Sequence, residues 1–193
     1  MILLTDSTNL ISSDDIMDDT KLNLIMRCFD SLKVKMTEEE LSTFILDNDF
    51  SNTDIDAVLR MFSFLEKRSN EASIQMMLRL SKLPLKSPKT FANFDFSQVH
   101  GKNVSQLEGL QSLFTLYSHK NVALIGPAGT GKTHIAMAYG YECCQHKLKT
   151  YFIKMSELRD KFTAARRAGK EASVLNGLVR PSCLIIDEVG HCE

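Results

Sequence analysis

Apolar residues recur at helical spacing through the first part of the chain and contract into short unbroken runs in the second, so two kinds of structure are expected. Residues 1 to 14 show no period and read as a frayed end. Asp14, Asp15, Asp18 and Asp19 then open a helix with Ile16, Leu22, Ile25, Met26 and Phe29 near one face, since carboxylates suit the positive end of a helix dipole. Thr37 with Glu40 has capping-box form and starts a short helix through Leu41, Phe44, Ile45 and Leu46. Ser51 to Asp54 cap a longer helix carrying Ile55, Val58, Leu59, Phe62, Leu65, Ile74, Met77, Leu78 and Leu80. Ser69 and Asn70 offer a place for it to break, and Pro84 and Pro88 stop it. Residues 1 to 86 are therefore expected to form a small all-helical module.

Residues 87 to 193 read differently. Phe91, Phe94 and Phe96 lie in a segment too irregular for a helix and are expected to anchor it onto a following core; a platform for stacking bases is the alternative. Asn103 caps a helix with Leu107, Leu110, Leu113, Phe114 and Tyr117. Val122 to Ile125 reads as a short buried strand, Thr150 to Met155 as a second and Cys183 to Asp187 as the last. A helix from His134 to about His146 lies between the first two. Between the second and third lie a basic amphipathic helix capped by Ser156 and a helical turn from Glu171 to Leu178. Alternating strands and helices make this an α/β unit with a parallel sheet and its ligand at the strands' carboxyl ends.

The chemistry gathers at those ends. Gly126, Pro127, Ala128, Gly129, Thr130, Gly131, Lys132 and Thr133 fit the phosphate-loop pattern, and His134 continues it into the helix. Gly126, Gly129 and Gly131 let the backbone curl with its N–H groups inward, ahead of a helix N-terminus. Lys132 can reach the β and γ phosphates, and the Thr133 hydroxyl can ligate Mg²⁺. Asp187 would hold Mg²⁺ through its water shell, and Glu188 would orient and deprotonate an attacking water.

Composition narrows the class. The 193 residues are 44 % apolar and 24 % charged, which excludes disorder throughout. The apolar runs are too short for a membrane span, and Met1 to Leu4 lacks the basic flank of a secretory signal, so a cytoplasmic protein is expected. Cys28, Cys143, Cys144, Cys183 and Cys192 have no spacing that suggests zinc and read as reduced thiols; His191 and Cys192 are too few for a metal site. Net charge is −1, but residues 1 to 66 carry −9 while residues 67 to 89 carry +5 and residues 147 to 170 carry +6. Two basic segments in a near-neutral chain fit a nucleic-acid backbone, or solvated helix faces.

With these residues in hand, residues 67 to 193 resemble the IstB-like ATP-binding proteins, the AAA+ helper ATPases of insertion-sequence transposition, and less closely the DnaC-like helicase loaders. The resemblance rests on Lys89 to Phe96, on the phosphate loop extended through Ala136, on Ser156 to Leu158 after the second strand, and on Leu184 to Gly190. It implies a partial AAA+ P-loop NTPase core behind the helical module, with ATP and Mg²⁺ as cofactors and copies of the chain assembling on double-stranded DNA to deliver it to a transposase. Basic residues of both parts would face the duplex, with Arg166 and Arg167 as first choices. The family continues beyond the Asp-Glu strand. By that analogy a sensor-one strand, an arginine finger and final helices are missing, which suggests a truncated product and leaves hydrolysis open. The sheet would then either pair residues 122 to 125 directly with residues 183 to 187 or stay open.

Three other readings compete. A replicative helicase loader would use similar ATPase parts and recover a helicase rather than a transposase. A small-molecule kinase is opposed by Glu188 directly after Asp187 and by the lack of a Gly/Arg-rich lid. A nucleotide-binding module without turnover fits the missing elements.

Overall fold

A computed structural model describes residues 19–100 and 103–190, and the chain divides into two compact units between Glu71 and Ala72. The proline pair suggested a boundary at residue 86. The division falls earlier because Leu78 and Leu83 are buried in the core of the second unit. Expectations for residues 1 to 18, and for His191 and Cys192, lie outside the described residues.

The first unit is helical. It comprises α1 (Asp19–Leu32), α2 (Glu38–Asp47) and the start of α3 (Asn52–Ser81). Thr37 caps α2 reciprocally: Glu40 N–H donates to the Thr37 hydroxyl at 3.2 Å, and Thr37 N–H donates to the Glu40 carboxylate at 2.7 Å. The apolar faces meet in Leu22, Ile25, Phe29, Leu41, Ile45 and Ile55, with Phe62 edge-on to Phe29 at 4.6 Å. α3 runs unbroken through Ser69 and Asn70. Neither residue removes a backbone donor, and their propensity cost of a few tenths of a kcal/mol each is too small to break a helix held at both ends.

In the second unit β1 (Thr150–Lys154) and β2 (Cys183–Asp187) pair in parallel, Thr150 opposite Cys183 and Lys154 opposite Asp187. Between them come α7 (Met155–Arg167) and α8 (Glu171–Val179). α7 starts one residue ahead of the expected cap, so Ser156 lies inside it. On one face of the sheet packs α6 (Lys132–Gln145), through Cys143, Cys144, Phe152, Cys183 and Ile185. The contact is close at Gly140, where an added Cβ would stand 2.5 Å from Ile185 Cδ1 and 3.2 Å from Thr150 Cγ2.

Two further expectations are corrected. The helix after Asn103 is broken into α4 (Val104–Gly109), a 3₁₀ turn Leu110–Ser112 and α5 (Phe114–Tyr117). Leu113 is the break: its backbone is left-handed (φ 55°) while its side chain is wholly buried. Residues 122 to 125 form no strand. A strand needs a ladder partner, the sheet is β1 and β2 alone, and nothing among the described residues pairs with this segment. Leu124 packs into the core formed by Phe91, Leu110, Ile135 and Ala138, while Ile125 is 93 % exposed. Of the two arrangements expected for the sheet, the open one is found. Phe91, Phe94 and Phe96 do anchor their segment onto that same core. Among the described residues no helix is long and apolar enough to cross a membrane.

Candidate functional site

The loop from Gly126 to Thr133 enters α6 through Gly131, whose φ of 85° belongs to the left-handed region that glycine alone adopts without strain. Space makes the same demand, since a Cβ there would lie 2.6 Å from the Phe94 ring. Gly129 is also left-handed (φ 79°). Because Gly131 has no side chain to cap α6, the first-turn N–H groups of Lys132, Thr133 and His134 are left for an external anion. Within the loop the Thr130 hydroxyl donates to Pro127 O at 2.9 Å, and Lys132 Nζ donates to the same carbonyl at 2.6 Å.

Two sites far apart in sequence meet here. The Thr133 hydroxyl donates to Asp187 Oδ1 at 3.0 Å, joining the first turn of α6 to the end of β2. A hydroxyl and a carboxylate are hard oxygen donors of the kind Mg²⁺ takes, alongside phosphate oxygens and water. No cluster of three or more His, Cys, Asp or Glu that could hold a metal exists among the described residues, so any ion here would depend on the phosphates for the rest of its shell.

After β2 the backbone of Glu188 turns left-handed (φ 58°), and its carboxylate accepts from Lys154 Nζ at 2.8 Å. The hydrogen bond from Lys154 to Glu188, and then the carboxylate's charge, raise the lysine above its usual pKa. Sequence reasoning missed Lys154, although a signal existed: it closes one strand as Asp187 closes the other, and a parallel register sets strand ends side by side.

Sequence reasoning also missed the strap that holds the loop. Asn93 Oδ1 accepts from Thr90 N–H at 2.8 Å and Asn93 Nδ2 donates to Pro88 O at 2.9 Å. His134 Nε2 lies 3.0 Å from both Thr90 O and Asn93 Oδ1. Both are acceptors, so Nε2 carries the proton. The His134 imidazole thus faces the strap, and what it offers a phosphate is its backbone N–H. Arg166 and Arg167 stand exposed in the last turn of α7.

A family model described as IstB-like ATP binding protein matches residues 29–193. A protein of insertion sequence IS5376 from Geobacillus stearothermophilus, named for ATP binding, is 37 % identical over 121 residues, covering 63 % of this chain and 47 % of its own. A counterpart of IS232 from Bacillus thuringiensis subsp. berliner is 27 % identical over 163 residues, 83 % of this chain and 64 % of its own. One of IS21 from Pseudomonas aeruginosa is 30 % identical over 116 residues, 60 % and 44 %. The matches thus cover between 44 % and 64 % of the length of these relatives.

Proposed function

The chain belongs to the IstB-like ATP-binding protein family, and from that premise we propose that it binds ATP with Mg²⁺ at the loop Gly126 to Thr133 and acts as a DNA-bound helper of insertion-sequence transposition. The observation that carries the nucleotide reading is the Thr133–Asp187 hydrogen bond, which sets a loop hydroxyl and a strand carboxylate where one ion could serve both. Backbone N–H groups of Lys132, Thr133 and His134 would take phosphate oxygens, and Lys132 would exchange Pro127 O for a phosphate. Mg²⁺, held by Thr133 and Asp187, would neutralise phosphate charge. Glu188 would position and deprotonate the water. Double-stranded DNA, a transposase and further copies of the chain are the proposed partners; the basic segments support the first, and family membership supports all three.

Titration calorimetry tests the core of this. Lys132→Ala is expected to abolish ATP binding, and equal affinity in both proteins would sink the assignment. For DNA, affinity is expected to fall steeply with salt and to show little sequence preference; a flat response opposes it. One observation favours a second reading, nucleotide binding without turnover: Glu188 Oε1 already accepts a hydrogen bond from Lys154. Phosphate release equal in wild type and Glu188→Gln would select it. Recovery of a replicative helicase and no transposase in a pull-down would select the helicase loader instead.

A further inference from the structure

On the outer side of β1, two lysines from different elements converge on one tyrosine. Lys161 Nζ, from α7, donates to Tyr151 Oη at 2.6 Å and lies 5.3 Å from the ring centroid. Lys82 Nζ, from the turn that ends α3, lies 5.5 Å from the same centroid. Tyr151 is partly buried and both lysines are exposed. Among the described residues neither ammonium has a carboxylate at ion-pair distance, and Asp160, next to Lys161, pairs with Arg159 instead.

Like charges brought around a neutral phenol repel, and among the described residues no carboxylate pairs with either of them. Three groups with spare donors thus stand around one ring: N–H bonds on each ammonium, and the Tyr151 O–H, whose oxygen accepts from Lys161 while its hydrogen is free to donate. Two charged donors and one neutral donor match the non-bridging oxygens of a phosphate. We propose that Lys82, Tyr151 and Lys161 form a second anion site, which takes a backbone phosphate of duplex DNA. The source follows from the surroundings. Lys82 opens a stretch containing Lys86 and Lys89, all exposed and with no acid between them, and a row of cations suits a polymer of phosphates better than a single one.

The phenol agrees with this environment: burial raises its pKa, but the Lys161 hydrogen bond and the charges of Lys161 and Lys82 outweigh burial and lower it. The site is separate from the nucleotide loop. Side chains alternate along a strand, so Tyr151 faces away from α6, which packs against Phe152. It is also opposite Leu184, about 10 Å along the strand from Asp187.

The proposal rests on the DNA reading above, and one titration separates their failures. The full chain is titrated against a fluorescent duplex over a salt series, with Lys35→Ala in the first unit as a charge-matched control and melting curves to verify folding. Each of Lys82→Ala and Lys161→Ala is expected to lower the slope of log K against log salt by about 0.9 and the affinity several-fold. Tyr151→Phe removes a donor but no charge, so affinity should fall with the slope kept. Wild-type binding left unchanged by both lysine variants overturns the site and spares the DNA reading. If wild type fails to bind even at low salt, both fall. Calorimetry with tripolyphosphate distinguishes the source: heat lost in the lysine variants while duplex affinity stays the same would assign the site to a free phosphate and overturn the backbone proposal.

Discussion

Lys154 and Glu188 close a 2.8 Å ion pair across the carboxyl ends of the two parallel strands, directly beside the Thr133–Asp187 hydrogen bond at the same edge of the sheet. Both members are close to half exposed, at 45 % and 44 %, so the pair adds little to stability. Its effect falls on Glu188, one oxygen of which, Oε1, is engaged by the ammonium group instead of a water. Lys154→Met is therefore expected to leave melting nearly unchanged and raise Mg-ATP-dependent phosphate release above wild type, with Lys154→Met/Glu188→Gln back at background. Release that stays the same or falls in the single variant would show that the pair does not restrain the carboxylate. The raised pKa of Lys154 means its pairing is fully present below the ordinary lysine value of 10.5 and is lost only as pH rises through the folded-state value above it. The restraint should accordingly be constant across neutral pH.

Thr133 and Asp187 are proposed to share one ion, so they should matter for Mg-ATP and much less for ATP in excess chelator. Thr133→Val and Asp187→Asn are each expected to weaken Mg-ATP at least tenfold by calorimetry while changing metal-free ATP little. A loss of equal size under both conditions would mean that these residues act on loop shape and not on the ion.

Much of this site was legible because its parts are local. The run Gly126 to Thr133 and the ending of β2 in Asp187 and Glu188 are written in consecutive residues, and both strands that form, β1 and β2, were readable from their apolar runs. What stayed hidden depends on neighbours. Val122 to Ile125 has strand composition but no ladder partner, and β propensity describes fit to a neighbouring strand more than an intrinsic preference. Leu113 sits at perfect helical spacing, yet the chain turns there because burying its side chain takes precedence over continuing the helix. The His134 contact with Asn93 spans segments whose meeting no local pattern announces.

Gly140 tests how tightly α6 seats on the sheet. A helical Gly→Ala change ordinarily stabilises by about 1 kcal/mol. Here the new methyl would meet Ile185 at 2.5 Å, Thr150 at 3.2 Å and Leu83 at 3.4 Å, and overpacking costs about 1–3 kcal/mol. Gly140→Ala is expected to be destabilising on balance, by roughly 1 kcal/mol in urea unfolding. Adding Ile185→Val, which deletes the nearest atom, should recover part of it. A stabilised single variant would mean that the contact relaxes freely.

The segment before the phosphate loop gives the most direct check on the open sheet. Leu124 and Ile125 are neighbours with opposite fates: Leu124 packs with Phe91, Leu110, Ile135 and Ala138, and Ile125 stands 93 % exposed. In a sheet covered on both faces, both would be buried and a charge at either would be severe. In the open arrangement Ile125→Lys should change unfolding free energy by no more than about 0.5 kcal/mol. Leu124→Ala should cost about 1–3 kcal/mol, below the range for a fully buried leucine because Leu124 is only partly covered. Comparable large losses at both positions, measured by denaturant unfolding of the 193-residue chain, would mean that residues 122 to 125 are paired and covered in solution.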